Sequence, residues 1–209
     1  MPDTSVTAEP VSPTALASAL PQRAAGTRSR GGNAMARTRA ALLDGALRSV
    51  ARHGARRTTM NDIATEAGIA KATLYNHFRT KENVLAALVE AQVRIVAAEC
   101  RPMSLVDALE HAARRLSEHT VLRRLARDEP VMLAAMLTPG PHAGGWRAAA
   151  EEISGRLGDR RAHLDSAPVD LVLRWLVTFV ARPGDPAAIR ASAELLGQMF
   201  HSANASGDS

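Results

Sequence analysis

Apolar residues recur along most of this chain at the spacing of one face of an α-helix. From Thr38 onward, Leu43 and Val50 belong to a series of apolar residues three or four positions apart, which is the period of an amphipathic helix. Gly54 and Gly68 end the first two segments, because glycine readily adopts the conformation that closes a helix. The pattern predicts an all-α protein of about nine to ten helices.

The pattern continues to the C-terminal region. A short helix is expected over residues 71–78, and a longer one runs from Thr80 to about Cys100, where Pro102 prevents continuation. Loops rich in proline and glycine separate six further predicted helices. These are Ser104–His119, Val121–Arg127, Pro130–Leu137, Gly145–Leu157, Pro168–Ala181 and Pro186–His201.

Residues 1–36 show no such period. They contain four prolines and three glycines among many Ala, Ser and Thr residues, a composition typical of disordered segments. Asp3 and Glu9 stand where a secretory signal would carry basic residues. A disordered N-terminal arm is therefore expected over residues 1–36, and Met35 is a second candidate start of translation.

The charge of the 209-residue chain is unevenly distributed. Lys and Arg number 26 and Asp and Glu 21, for a net charge of +5. Residues 37–90 hold nine basic and five acidic residues, whereas residues 91–209 hold 14 of each sign. This asymmetry is typical of a polyanion-binding module joined to a neutral domain. Considered alone, the charge distribution slightly favours the alternative that these basic residues form an ordinary solvent-exposed helix face.

Several functional classes find no support in the sequence. Cys100 is the single cysteine, and His111 and His119 have no carboxylate partner at metal-ligand spacing, so no metal or cofactor is expected. Apolar runs are too short to span a membrane, which favours a cytoplasmic protein. Paired carboxylates, a nucleophilic serine turn and a glycine-rich phosphate loop are all missing, so an enzyme is not expected.

Residues 59–78 follow the order helix, glycine turn, helix. In a helix-turn-helix unit, the second helix enters the major groove of DNA. Leu74 and Phe78 lie one turn apart and are predicted to be buried. Ala72 and Asn76 then face the groove, with Thr73 beside them.

Other polar residues surround this ridge. Tyr75 and His77 flank it and can reach the phosphates of both groove walls. Thr59 begins the first helix, with Asp62 placed for a capping box, and offers free amides to a phosphate. Lys71 and Lys81, the only lysines, lie near the two ends of the second helix. Each residue alone has an ordinary structural explanation, such as packing for tyrosine or solvation for lysine, but together they favour DNA binding.

The segment from Thr38 to about Leu88 resembles the DNA-binding domain of the TetR (tetracycline-repressor-like) family, and the motif from Thr59 to Glu82 carries the resemblance. The resemblance implies a homodimeric, ligand-responsive transcriptional regulator, usually a repressor that binds palindromic DNA. It implies a helix-turn-helix domain over 37–83 and a helical effector-binding and dimerisation domain over 84–209. By family role, phosphates are held by Thr59, Tyr75 and Lys81. The bases or the DNA backbone are faced by Lys71, Ala72, Thr73, Asn76 and His77. A basic arm that some members place in the minor groove is resembled by Arg37 and Arg39.

Two positions depart from the family pattern. Ala70 stands where Ser or Thr is usual, which removes a hydroxyl cap from the recognition helix. Ala72 stands where Gly is frequent and adds a methyl group near the bases.

The last two predicted helices are strongly apolar. Their apolar faces suit the four-helix dimer bundle of the family, although packing within one chain is the alternative. The residues of these faces are Val169, Val172, Leu173, Leu176 and Val180, followed by Ile189, Ala193, Leu196 and Phe200.

An effector pocket is expected between the middle helices. Residues of the candidate types fill a protein core more often than they contact a ligand. Because few polar groups lie near them in the sequence, an apolar effector is expected. The candidate residues are Met103, Leu109, Met132, Met136, Trp146, Trp175 and Phe179. Two functional alternatives stay open: a constitutive DNA-binding protein without an effector, and a small helical enzyme.

Overall fold

The computed structural model describes residues 30–137, 144–157 and 166–206. Within these ranges it contains ten α-helices and no strand. The first five are α1 Arg30–His53, α2 Met60–Ala67, α3 Lys71–His77, α4 Lys81–Cys100 and α5 Leu105–Glu118. The others are α6 Thr120–Asp128, α7 Pro130–Leu137, α8 Gly144–Leu157, α9 Ala167–Ala181 and α10 Pro186–Ser206. The all-α prediction is confirmed.

The first helix begins earlier than the sequence pattern indicated. It starts at Arg30 rather than Thr38, so the expectation of disorder is wrong for residues 30–36, while residues 1–29 lie outside the described ranges. No proline follows Arg30 in this segment, so nothing stops the packed helix from extending outward. Residues 32–37 are exposed in this extension, which explains why no apolar period marked it.

Helix caps fix the geometry of the N-terminal unit. The Thr59 hydroxyl accepts a hydrogen bond from the Asp62 amide at 3.2 Å, and the Asp62 carboxylate accepts one from the Thr59 amide at 2.9 Å. The predicted capping box is therefore confirmed. Gly54 and Gly68 have φ angles of +82° and +64°, a left-handed conformation that favours glycine. Thr80 caps α4 by accepting from the Asn83 amide at 3.2 Å.

One apolar core joins the N-terminal helices to the rest of the chain. Leu43 of α1, Ile63 of α2 and Leu74 of α3 are fully buried in it. The same core includes Leu88 of α4 and Leu125 of α6. Packing therefore crosses the domain boundary expected at residues 83 and 84, and the N-terminal helices are attached to the second domain through a shared core.

A second core fills the space between α5, α8, α9 and α10. The apolar faces of the last two helices, which the family resemblance assigned to a dimer, are largely packed here within one chain. Their buried members include Val169, Val172, Leu173, Ala193 and Phe200. A sequence period identifies a buried face but not the element that covers it, so packing within the chain is the correct account of these residues.

A different face of the last two helices is left open. Leu195 is 66% exposed and Met199 48%, and Leu171 of α9 is 41% exposed. None of the described helices is long and apolar enough to cross a membrane.

Candidate nucleic-acid interface

The recognition helix α3 turns one side into the core and the other outward. Leu74 is completely buried and Phe78 is 4% exposed, as the spacing predicted. Lys71, Ala72 and Asn76 are exposed on the outward side. An outward ridge of this kind is the part of a helix-turn-helix that can meet base edges.

Two ring side chains on this helix differ in their surroundings. Tyr75 is 45% exposed and makes no hydrogen bond with a described residue. His77 is half-buried, with its ring centroid 6.4 Å from that of Phe78. Burial, and then the charge of Arg39, lower the pKa of His77. The imidazole is therefore neutral near pH 7 and offers one donor and one acceptor. Thr73 is half-buried beside it.

The N-terminus of α3 lacks a side-chain cap. Ala70 occupies the N-cap position, and its methyl group makes no cap hydrogen bond. The structure thus agrees with the departure noted in the sequence, and the first amides of α3 receive no hydroxyl partner from that position.

Arg37 and Arg39 do not form an arm preceding the first helix, because both lie within α1. Arg37 is exposed. The Arg39 guanidinium instead lies over the Phe78 ring, 4.4 Å from its centroid. Burial lowers the pKa of Arg39, an effect that Glu90 partly opposes. The prediction of a basic arm is wrong for these two positions.

Lys81 is engaged by the fold. Its Nζ lies 3.0 Å from the Ala55 carbonyl oxygen and 3.4 Å from that of Arg56. Both oxygens belong to the turn that follows α1. Lys71, in contrast, is exposed and has no ion-pair partner among the described residues.

Acidic side chains neutralise several basic residues of the N-terminal unit. Arg48 pairs with Asp44, Arg52 pairs with Glu66, and the Arg56 Nε lies 3.4 Å from Glu129 of the second domain.

Arg57 and Arg79 are exposed and have no such partner in the described ranges. Sequence reasoning did not select them as DNA contacts, because a count of charges does not show which of them are paired.

A cavity of about 80 Å³ lies between α4, α5, α8 and α9. That is several times the ~10–15 Å³ that one water needs. Of the candidate pocket residues, Leu109 and Trp146 line this cavity. Met103, Met132, Trp175 and Phe179 do not line it, and the side chain of Met136 lies outside the described set.

The predicted pocket residues that do not line the cavity pack elsewhere in the protein. Trp175 and Phe179 pack edge to face with centroids 4.9 Å apart, and Met132 packs on the core beneath the DNA-binding unit. The cavity wall is built mainly from smaller aliphatic residues that were not among the predicted pocket residues. They include Val89, Val93, Val96, Leu173, Leu176 and Val177.

Among the described residues that line the cavity, Arg156 is the only charged one. Its guanidinium donates to the Cys100 carbonyl and pairs with Glu152 at 3.1 Å. The positive charge of Arg156 is therefore already neutralised within the protein. Burial raises the pKa of the neighbouring Cys100 thiol to about 11, so that thiol is protonated and chemically quiet near pH 7.

The two histidines considered as metal ligands have other partners. His111 Nε2 lies 2.8 Å from Glu99, a residue of α4 that stands 12 positions earlier in the chain. Arg115 also binds Glu99, at 3.0 Å. In the described ranges, no three His, Cys, Asp or Glu side chains form a group that could hold a metal ion.

The outward ridge of α3, the glycine turn before it and the capped helix α2 define a helix-turn-helix DNA-binding protein. Residues 42–88 match the family model described as bacterial regulatory proteins of the tetR family. An HTH-type transcriptional regulator of Mycobacterium tuberculosis is 31% identical over 140 residues, which make up 65% of this chain and 69% of that protein. The chain belongs to the TetR family of transcriptional regulators.

A further relative and one solved structure are also similar to this chain. The HTH-type transcriptional regulator BetI of Agrobacterium fabrum is 39% identical over 56 residues, which is 27% of each protein. The TetR family repressor AlkX from Dietzia, implicated in biodegradation of n-alkanes, shares the fold with a TM-score of 0.62 at 19% identity. That match covers 85% of this chain and 98% of AlkX.

Proposed function

We propose that this regulator is a homodimeric repressor that leaves a palindromic operator when a small apolar molecule occupies the cavity between α4, α5, α8 and α9. In this proposal, Lys71, Ala72, Thr73, Asn76 and His77 face the bases or the adjacent backbone, and Thr59 and Tyr75 hold phosphates. The effector is neutral, because the wall is aliphatic and Arg156 already has a carboxylate partner.

Helix α4 carries the proposal, because it belongs to both sites. Val84, Leu85 and Leu88 of this helix are buried in the core of the DNA-binding unit. Further along the same helix, Val93 and Val96 line the cavity. A ligand that favours one position of α4 therefore shifts the DNA-binding unit with it.

Dimerisation gives this movement its effect on DNA. Two recognition helices must lie about 34 Å apart to read both halves of a palindrome. The exposed apolar residues Leu171, Leu195 and Met199 of the last two helices support a dimer contact there, beside the face already packed within the chain. A tilt of α4 changes the spacing between the two recognition helices and releases the DNA.

Thermal-shift and gel-shift measurements with one panel of compounds test the proposal. Neutral apolar probes such as alkylbenzenes are expected to raise the melting temperature and to weaken binding to the DNA upstream of the regulator's own gene. Ala149→Leu narrows the cavity that Ala149 lines, so this variant should lose the response. Ala148→Leu is the matched control, since Ala148 does not line the cavity.

The alternative functions give different results. A constitutive DNA-binding protein would bind the palindrome with no probe altering its affinity. An enzyme would turn over one of the probes. Equal affinity for random and palindromic DNA at ~150 mM salt would contradict a sequence-specific regulator.

A further inference from the structure

Two turns that are distant in sequence meet at one end of the recognition helix. The first turn, residues 54–58, follows α1, and the second, residues 78–80, joins α3 to α4. The ammonium group of Lys81 connects them, since it lies 3.0 Å from the Ala55 oxygen and 3.4 Å from the Arg56 oxygen.

Each of these turns presents an unpaired arginine. Arg57 lies two residues before the N-cap of α2, and Arg79 directly follows the buried Phe78. Both side chains are exposed and make no hydrogen bond or ion pair with any described residue. Their neighbour Arg56 is also exposed but pairs with Glu129. Of the three arginines, only Arg57 and Arg79 keep their charge available for a polyanion.

We propose that Arg57 and Arg79 together hold the DNA backbone beside the recognition helix, and that Lys81 positions the two turns that carry them. The first half follows from charge and exposure, because free guanidinium groups bind phosphate oxygens strongly. The second half follows from burial, because Lys81 is half-buried and directs its ammonium group to two carbonyl oxygens of the fold. This positioning role is additional to the phosphate role that the family resemblance implies for Lys81.

The inference rests on DNA binding by the helix-turn-helix unit and not on the effector. It can therefore be tested without a ligand, on the full chain, with a random-sequence duplex and with the DNA upstream of its own gene. Each lost phosphate contact lowers the slope of log affinity against log salt by about 0.9. The double variant Arg57→Ala/Arg79→Ala should lose about 10-fold or more in affinity for both duplexes and show a shallower slope, with an unchanged melting temperature.

Arg56→Ala is the matched control. It removes the same charge from the same turn, but from a residue that is already paired, so its salt slope should stay at the wild-type value. A wild-type slope in the double variant would overturn the proposal. So would an equally large decrease in Arg56→Ala, because net charge and not contact would then explain the effect.

Lys81→Met tests the positioning role separately. Loss of the ammonium group leaves the Ala55 and Arg56 oxygens without this donor, so the melting temperature should fall, and Lys81→Arg, which can donate to both oxygens, should restore part of it. An unchanged melting temperature together with a shallower salt slope would identify Lys81 as a direct phosphate contact and would contradict the positioning role.

Discussion

The guanidinium group of Arg39 lies 4.4 Å from the centroid of the Phe78 ring. This contact joins α1 to the residue that ends the recognition helix. An arginine above an aromatic face is attracted electrostatically by the ring quadrupole, whose negative part lies on that face. Arg39 thus stabilises the orientation of the recognition helix from within the protein, whereas Arg37, on the same helix, is exposed to solvent.

Arg39→Ala is expected to lower the free energy of unfolding by about 0.5–2 kcal/mol, the range of a cation–π contact from exposed to desolvated sites. Urea denaturation followed by circular dichroism measures this change. Arg37→Ala is the control and should unfold as the wild type does. Equal stability of the two variants would show that the contact with Phe78 contributes nothing.

Ala70→Ser is expected to raise the free energy of unfolding by about 0.5–2 kcal/mol, the value of a helix N-cap. Ala70 occupies the N-cap of α3 without a side-chain hydrogen bond, and a serine hydroxyl there can accept from an unpaired amide. The melting temperature reports the effect. An unchanged or lower value would contradict the prediction.

Gly45→Ala and Gly155→Ala should change stability in opposite directions. A Cβ atom at Gly45 would lie 2.7 Å from the backbone nitrogen of Ala67, and backbone cannot move aside easily, so a loss of about 1–3 kcal/mol is expected. A Cβ atom at Gly155 meets nothing within 4 Å. That substitution should add about 0.5–1 kcal/mol because alanine favours the helix. Chemical denaturation of both variants decides; a stabilised Gly45→Ala would disprove the close approach of α1 and α2.

His119 should make the stability of the protein sensitive to acid. Its Nδ1 accepts from the Leu122 amide at 3.2 Å, and its Nε2 lies 3.0 Å from Gln92. Burial, and then Arg115, lower its pKa from 6.5 to about 4. The unfolded chain therefore binds the proton more readily than the folded chain does. The stability from this group is complete above about pH 6.5 and decreases as the pH falls towards 4, by up to about 3 kcal/mol.

His119→Asn separates this titration from that of other groups. Asparagine retains a helix-capping acceptor but carries no titratable proton. The free energy of unfolding of the wild type should fall more steeply than that of the variant between pH 7 and pH 4.5. Parallel curves for the two proteins would show that His119 titrates alike in both states.

Local signals in the sequence were sufficient to predict the helices, apart from the start of α1, and the plan of the recognition unit. The Thr59–Asp62 capping box, the turn at Gly68 and the burial of Leu74 and Phe78 all depend on residues within one or two turns of one another. Such interactions are determined by spacing and by backbone conformation. The family motif lies within the same short segment, so it could be identified without the fold.

Contacts between distant parts of the chain decided which arginines are unpaired, which residues line the cavity and what covers each apolar face. Glu66 and Glu129 neutralise arginines 14 or more positions away, which leaves Arg57 and Arg79 free. The cavity wall combines valines of α4 and α9 with residues such as Leu109 of α5 and Trp146 of α8, whereas Trp175 and Phe179 pack against each other. An apolar period shows that a helix face is buried, but only tertiary packing determines which element covers it. For this reason, the sequence left open whether the apolar faces of the last two helices form a dimer or pack within one chain, and the fold packs them largely within one chain.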